Sequence, residues 1–380
     1  MYSRLLIPPE AKSFFLFGPR GTGKSTWVRN RFPHAIYLDL LDSSVYTTLL
    51  AEPTRLQRFL PPRFQGWIVI DEIQRVPALL NEVHRLIETQ ALQFALTGSS
   101  ARSLRKRGVN LLAGRALTYF LYPLTSQELG ADFKLTRFLR YGGLPSAYQE
   151  ADPQAYLDSY VRTYLREEIQ QEGLTRNLGA FTRFLEAASF SQGQVLNVTA
   201  VSRECAVERK VVENYFSILE DLLLAYQLPI FTRKAKRTLI THQKFYFFDV
   251  GVYRTLRPRG PLDAAGEIDG LALETFFLQE LLACNAYHQL GYTLFYWRTR
   301  SGLEVDFILY GERGVKAFEV KLATKVQKED TKGLRAFLTD YPMAKAHLVY
   351  CGERLMSEGE IAILPISHTV QHLTEILTAS

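Results

Sequence analysis

Short, nearly unbroken apolar runs alternate with amphipathic stretches through the first third of the chain. Ser13–Phe17 (SFFLF), Ala35–Leu40 (AIYLDL), Trp67–Ile70 (WIVI) and Phe94–Thr97 (FALT) have the length and composition of strands buried on both faces. Between the third and fourth, DEIQRVPALLNEVHRLIE (71–88) reads as an amphipathic helix. Strand and helix in alternation predict a doubly wound α/β domain. Residues 151–172 set Tyr156, Tyr160, Tyr164, Leu157, Val161 and Leu165 on one broad helical face, which suits core and inter-domain packing. After Gly173 the pattern restarts. Leu178–Phe190, Val198–Cys205 behind the cap-like Asn197, and Lys210–Leu224 read as three helices, followed by a hairpin of Ala225–Ile230 and Lys244–Asp249. Beyond Gly266 come a helix over Leu271–Leu282 and strands over Thr293–Trp297, Val305–Tyr310 and Val315–Lys321. The expected divisions are 1–130, 131–175, 176–260 and 261–380.

Composition narrows the class. A length of 380 residues calls for two or three domains, and 47% hydrophobic with 22% charged residues excludes extensive disorder. The net charge of +6 suits a polyanionic partner without requiring one. Cys205, Cys284 and Cys351 lie far apart with no CxxC pair, which argues against a disulfide framework or cysteine zinc site and fits a reducing compartment. His84, His242, His288 and His347 show no metal-ligand spacing. The first apolar stretch is too short for a signal peptide, and no run of eighteen apolar residues occurs, so the expected location is cytoplasmic without membrane attachment.

Chemistry enters directly after the first strand. Gly18-Pro19-Arg20-Gly21-Thr22-Gly23-Lys24-Ser25 fits GxxxxGK[ST] at every fixed position, with Thr26–Arg31 opening a helix whose positive N-terminal end faces the loop. The glycines let backbone N–H groups curl around phosphates, Lys24 reaches the β and γ oxygens, and the Ser25 hydroxyl takes Mg²⁺. The third strand ends in Asp71 and Glu72, placed to hold the Mg²⁺ shell and to polarise the attacking water. The fourth runs into Gly98-Ser99-Ser100, small polar residues that either sense the γ-phosphate or serve as an ordinary turn. ATP and Mg²⁺ are the expected cofactors.

The middle and last segments carry two further patterns. A helix, a short turn, a longer helix and a hairpin whose tip holds Arg233, Lys234, Lys236 and Arg237 is the layout of a winged helix-turn-helix, with the tip as a phosphate-contacting wing. Glu213, Glu220 and Asp221 on the longer helix argue against that helix facing DNA; an ATPase lid or subunit contact is the competing use. Toward the C-terminus, Glu319 and Lys321 are i and i+2 on one strand and share a face, and Asp306 on the preceding strand meets them across the hairpin. Such a Glu-x-Lys pair is equally a common cross-strand ion pair.

That last constellation resembles the core of PD-(D/E)xK nucleases. The resemblance implies that Asp306, Glu319 and Glu274 bind Mg²⁺ and that Lys321 activates water for phosphodiester hydrolysis. The phosphate loop, the Asp-Glu strand end and the polar fourth strand resemble P-loop ATPases of the AAA+ and STAND type. Leu-Thr-Gly-Ser-Ser-Ala-Arg (96–102), Leu-Ala-Gly-Arg (112–115), Tyr-Pro-Leu (122–124) and Tyr-Gly-Gly-Leu-Pro (141–145) look like a widespread prokaryotic ATPase family with a C-terminal domain of unknown function. The implied fold is an AAA-like P-loop NTPase domain, a winged-helix middle segment and a restriction-endonuclease-like α/β C-terminal domain. Such ATPases often supply an arginine to a neighbouring subunit's γ-phosphate; Arg115 is the candidate, Arg102 the second. The basic stretch 102–108 is either a nucleic-acid contact or a solvated loop. The expected function is a Mg-dependent ATPase coupled to a DNA-associated module, in a homo-oligomer. An ATP-regulated DNA nuclease and a STAND-like switch that binds a protein partner are the alternatives.

Overall fold

The computed structural model describes residues 2–99, 104, 112, 114–164, 177–232, 242–258, 260 and 264–379. Ser100, Arg102 and nearly all of the stretch 102–108, Leu165, and the basic residues of 233–237 lie outside the described residues. The chain divides into two compact units, Ser3–Tyr122 with Asp221–Leu223, and Pro123–Glu220 with Leu224–Ser380.

In the first unit β1 (Ser13–Phe17), β2 (Ile36–Asp39), β3 (Trp67–Asp71), β4 (Gln93–Gly98) and β5 (Ala116–Phe120) form a parallel sheet in the order β2–β3–β4–β1–β5. The connections hold α1 (Lys24–Arg31), α2 (Ser43–Ala51) and α3 (Leu79–Gln90). Alternation along β1 assigns its aromatics to opposite layers. Phe15 and Phe17 join Ile68, Ile70, Leu96 and the α3 residues Leu79, Val83 and Leu86 in one core. Phe14 packs on Trp27, Phe32, Trp67 and Tyr119 on the other side.

One sequence expectation is corrected here and one element is added. The helix read over 71–88 does not begin at Asp71. Glu72 takes a left-handed φ of 60°, Ile73–Arg75 make a single 3₁₀ turn, and Pro77, lacking an N–H, delays the helix to Leu79. The strand β5 was not anticipated, because ALTYF lies on the sheet's edge, partly exposed, and lacks a buried strand's apolar signature.

The second unit opens with α4 (Ser126–Leu129), α5 (Leu135–Tyr141), α6 (Pro145–Gln149) and α7 (Pro153–Ser159), the last running into a π-helical turn over Tyr160–Tyr164. The uniform helix expected over 151–172 is thus interrupted by a change of pitch. Next come α8 (Leu178–Ser189), β6 (Gln194–Val195), α9 (Val198–Cys205), α10 (Arg209–Asp221), β7 (Ala225–Leu228) and β8 (Lys244–Phe247). Asn197 caps α9 by accepting from the Ala200 N–H at 3.1 Å. The strands pair antiparallel in the order β6–β8–β7, and Phe181, Phe184, Tyr215, Phe216 and Phe245 stack between helices and sheet.

After α11 (Val250–Leu256), the long α12 (Ala265–Tyr287) precedes β9 (Thr293–Arg298), β10 (Glu304–Gly311), β11 (Gly314–Lys321), α13 (Lys332–Asp340), β12 (Lys345–Tyr350), β13 (Met356–Glu358) and β14 (Ile361–Pro365). The mixed sheet runs β13–β14–β12–β11–β10–β9. Phe277 of α12 packs on Phe307 and Phe318 on one face, and Phe337 of α13 packs on Trp297 on the other. Past β7, the Phe231 N–H donates to the Tyr296 carbonyl at 2.7 Å, which ties the smaller sheet to β9.

Buried carboxylates brace the helices of this unit. Asp249 accepts from the Gly143 N–H at 2.8 Å and caps α11 through the Val252 N–H at 3.0 Å; burial pushes its pKa up to about 6. Glu280 of α12 accepts from the Ser126 N–H at 2.6 Å and hydroxyl at 3.0 Å, and burial pushes it up to about 8. Among the described residues, no helix is long and apolar enough to cross a membrane.

Candidate functional site

The phosphate loop joins β1 to α1. Gly21 and Gly23 hold φ of 85° and 88°, left-handed conformations that only glycine adopts without strain. Thr22 is fully buried, its hydroxyl donating to the Pro19 carbonyl at 2.9 Å, and Arg4 donates to the Thr22 carbonyl at 2.9 Å, so the loop is shaped from inside and behind. The Lys24 ammonium is buried and donates to the carbonyls of Gly18 and Pro19 at 2.7 and 3.0 Å, curled over the hollow that the loop encloses. Ser25 and Thr26 follow in the first turn of α1, the first half-buried and the second exposed.

Opposite the loop, β3 delivers Asp71 to the carboxyl edge of the sheet, buried. Thr97 donates to one of its oxygens and Tyr37 to the other. Glu72 is next, and its left-handed backbone turns the carboxylate to accept from the Gln74 amide, which also donates to the Ser99 hydroxyl at 3.1 Å. Lys24, Asp71, Glu72 and Ser99 therefore stand at the same sheet edge. Tyr37, Gln74 and Thr97 were missed by sequence reasoning; the signal for Gln74 was its position two residues past Glu72 on the same turn.

Arg115 lies away from the phosphate loop. Its neighbour Ala116 pairs with Ser13 at the start of β1, whereas the phosphate loop follows the other end, so Arg115 lies at the opposite edge of the sheet, where it pairs with Glu88. It cannot reach the phosphate loop of its own chain.

In the second unit the β10–β11 register sets Phe307 opposite Phe318, so Asp306 faces Glu319. The Asp306 N–H donates to Glu319 at 3.3 Å, the Val320 N–H donates to Asp306 at 3.0 Å, and Lys321 donates to Glu319 at 2.7 Å. Glu274 arrives from α12. The hairpin geometry thus gathers Glu274, Asp306, Glu319 and Lys321 as the two-residue strand period dictates. Two residues were not foreseen. Lys244, at the start of β8 with a side chain only 3% exposed, sends its ammonium to Glu304 at 2.7 Å, Asp306 at 2.9 Å and Glu274 at 3.3 Å. Glu304, two residues before Asp306 on β10, also pairs with Arg298 at 3.3 Å.

Charge is balanced closely there. Burial and then Asp306 push Glu274 up to about 7, and the same two causes raise Glu319 well above the ordinary carboxylate range. Against burial, which would raise it, the ammoniums of Lys244 and Lys321 hold Asp306 low. These donors do not fit Mg²⁺. The Lys244 ammonium stands among Glu274, Glu304 and Asp306 at 2.7–3.3 Å, and Glu319 accepts from Lys321 at 2.7 Å. Among the described residues, no group of three or more histidine, cysteine or acidic side chains is arranged as a metal site. The residues expected to hold Mg²⁺, Asp306, Glu319 and Glu274, are brought together here with the ammoniums of Lys244 and Lys321 among them. The P-loop donors do fit: an open first turn presents the Ser25 hydroxyl, and the buried Asp71 carboxylate keeps a lone pair on each oxygen for metal-bound water.

The fold and the first site define a parallel α/β unit with a glycine-rich loop at the carboxyl edge of its sheet. Residues 10–130 match the family model described as an AAA domain, 132–263 match a domain of unknown function (DUF8612), and 269–369 match another (DUF4143). An uncharacterized protein of Mycobacterium tuberculosis is 28% identical over 356 residues, covering 90% of this chain and 77% of the relative. One of Methanocaldococcus jannaschii is 25% identical over 346 residues, covering 81% and 74%. Among solved structures, the Aeropyrum pernix ORC1 protein in complex with DNA aligns at 14% identity and a TM-score of 0.27, over 65% of this chain and 87% of that one. The ADP form of the ORC2 protein from the same organism aligns at 11% and 0.30, over 71% and 88%. Likenesses of that size do not bear on the fold or activity of this chain.

Proposed function

We propose that the chain is a Mg-dependent ATPase whose nucleotide site is the loop Gly18–Ser25. The carrying observation is the enclosed Lys24 ammonium, held by two loop carbonyls at the centre of a glycine cradle. In this reading Lys24 exchanges those carbonyls for the β and γ oxygens of ATP, and backbone N–H groups of Gly21 to Thr26 line the phosphates. Ser25 and Asp71 would hold Mg²⁺, which when bound draws charge from the phosphate oxygens. Thr97 and Tyr37 fix the Asp71 carboxylate, Glu72 orients the attacking water, and Gln74 links Glu72 to Ser99 at the γ-phosphate end. Arg115 acts, in this reading, only on a neighbouring copy, so the working form is a homo-oligomer.

The test is steady-state ATP hydrolysis with nucleotide binding measured alongside. Lys24→Ala should lose both. Glu72→Gln should bind ATP near the wild-type level while turnover falls at least about a hundredfold, the scale of a lost general base. Full activity in Lys24→Ala would sink the reading.

For the rest of the chain we propose the division 131–175, 176–260 and 261–380 as connector, winged helix and restriction-endonuclease-like domain, in a cytoplasmic protein. The order α8, β6, α9, α10, β7, β8, with β8 between its partners, supports the winged helix. The mixed sheet with α12 on one face and acids on the β10–β11 hairpin supports the third. Duplex DNA is the proposed partner of the segment between β7 and β8, whose four basic residues, Arg233, Lys234, Lys236 and Arg237, would contact phosphates.

A further inference from the structure

Lys244 stands two residues before Tyr246 on β8, on the same face, and the Tyr246 hydroxyl donates to Glu274 at 2.9 Å. The lysine's backbone is fixed by pairing with Leu228 on one side and Val195 on the other. Its ammonium therefore reaches the acids from a rigid strand, not from a loop. Three carboxylates from α12 and β10 converge on that one nitrogen at 2.7–3.3 Å. An ammonium makes contacts of this length, whereas Mg²⁺ or Mn²⁺ bound to the same oxygens would draw them to about 2.0–2.2 Å. The two cations compete for one position. Glu274, Glu304, Asp306 and Glu319 face Lys244, Lys321 and Arg298, which leaves little negative charge to attract another ion.

We propose that the Lys244 ammonium takes the place of a divalent cation in this carboxylate cluster, so that the cluster is a closed ion network with a latent metal site, opened only by removing that ammonium. The C-terminal domain then works without metal-dependent phosphodiester cleavage. The inference is independent of the ATPase reading, since no residue of the phosphate loop enters it.

The test uses the full chain without nucleotide and Mn²⁺ as probe, followed by electron paramagnetic resonance of the free ion. Wild type and Asp306→Asn should show the same weak background. Lys244→Met, which keeps most of the apolar stem, should gain one equivalent of Mn²⁺ bound at least tenfold more tightly, and adding Asp306→Asn should abolish the gain. Lys244→Met with Glu304→Gln restores the cluster's net charge and serves if the single variant does not fold; it too should gain the site, and a folded variant that gains none overturns the proposal. So does one equivalent of Mn²⁺ on wild type that Asp306→Asn removes, or Mg-dependent DNA cleavage by wild type that Asp306→Asn removes.

Discussion

Gly18 has no side chain because the Leu121 carbonyl oxygen lies where a Cβ would be, and that oxygen is backbone that cannot swing aside. Gly18→Ala should therefore displace the loop and weaken ATP binding at least tenfold by calorimetry, with the remaining domain folded by circular dichroism. Protonation offers a second check at this scale. Glu280, raised by burial to about 8, keeps its proton at pH values where the unfolded chain has lost it, so its stabilising effect is full at low pH and declines as pH rises from about 4.3 toward 8. Asp249, at about 6, acts the same way over a lower window. His347 opposes both below about pH 6.5, because burial lowers it to about 4 and the unfolded chain takes the proton first. Above pH 6.5 the glutamate dominates this set. Glu280→Gln should flatten the fall in urea stability between pH 6.5 and 9 by about 2 kcal/mol; an unchanged slope would refute the assignment. Lys24 and Asp71 were legible because a motif binds chemistry to local spacing. Lys244 and Glu304 were not, because a lysine before KFYFF and a glutamate after a turn acquire meaning only when β8, α12 and β10 meet.

At the scale of elements, periodicity found what is periodic. The two-residue repeat of β10 and β11 placed Asp306 against Glu319 correctly, and the caps at Asn197 and the buried run of β1 were equally readable. Pro77 was visible in the sequence, yet the amphipathic pattern around it outweighed its missing N–H, and the helix was started too early. The Tyr-Gly-Gly-Leu-Pro stretch shows the converse, a motif whose reason is packing. Gly142 ends α5 at a φ of 72°, and a side chain there would strike the Asp249 carboxylate that holds Gly143. Gly142→Ala should cost about 2–3 kcal/mol in urea unfolding, combining the strained φ with a displaced buried acceptor, while Gly114→Ala, with open space around its Cβ, should cost only the strain of its positive φ.

The whole molecule adds constraints that no single element carries. If Arg115 serves a neighbour, Lys24→Ala and Arg115→Ala should each be inactive alone and recover measurable ATP turnover when mixed; no recovery at any ratio would confine the site to one chain. In duplex DNA binding, replacing Arg233, Lys234, Lys236 and Arg237 together by alanine should flatten the dependence of log affinity on log salt by about 3–4 units. The meeting of β8 with α12 and β10 was not readable from the change in pattern along the chain. The order of strands in the first sheet also has a bearing on synthesis. An inner strand, β1, precedes both of its partners, β4 and β5, and the residue that pairs with Ser13 lies about a hundred positions later. At roughly 5–20 residues per second, SFFLF waits on the order of 5–20 s beyond the first strand's emergence before both flanks are filled. A nascent chain of this protein thus exposes an uncharged, aromatic, β-prone segment for that interval, and trigger-type holding factors that bind such segments should be found on it at the ribosome until β5 has emerged.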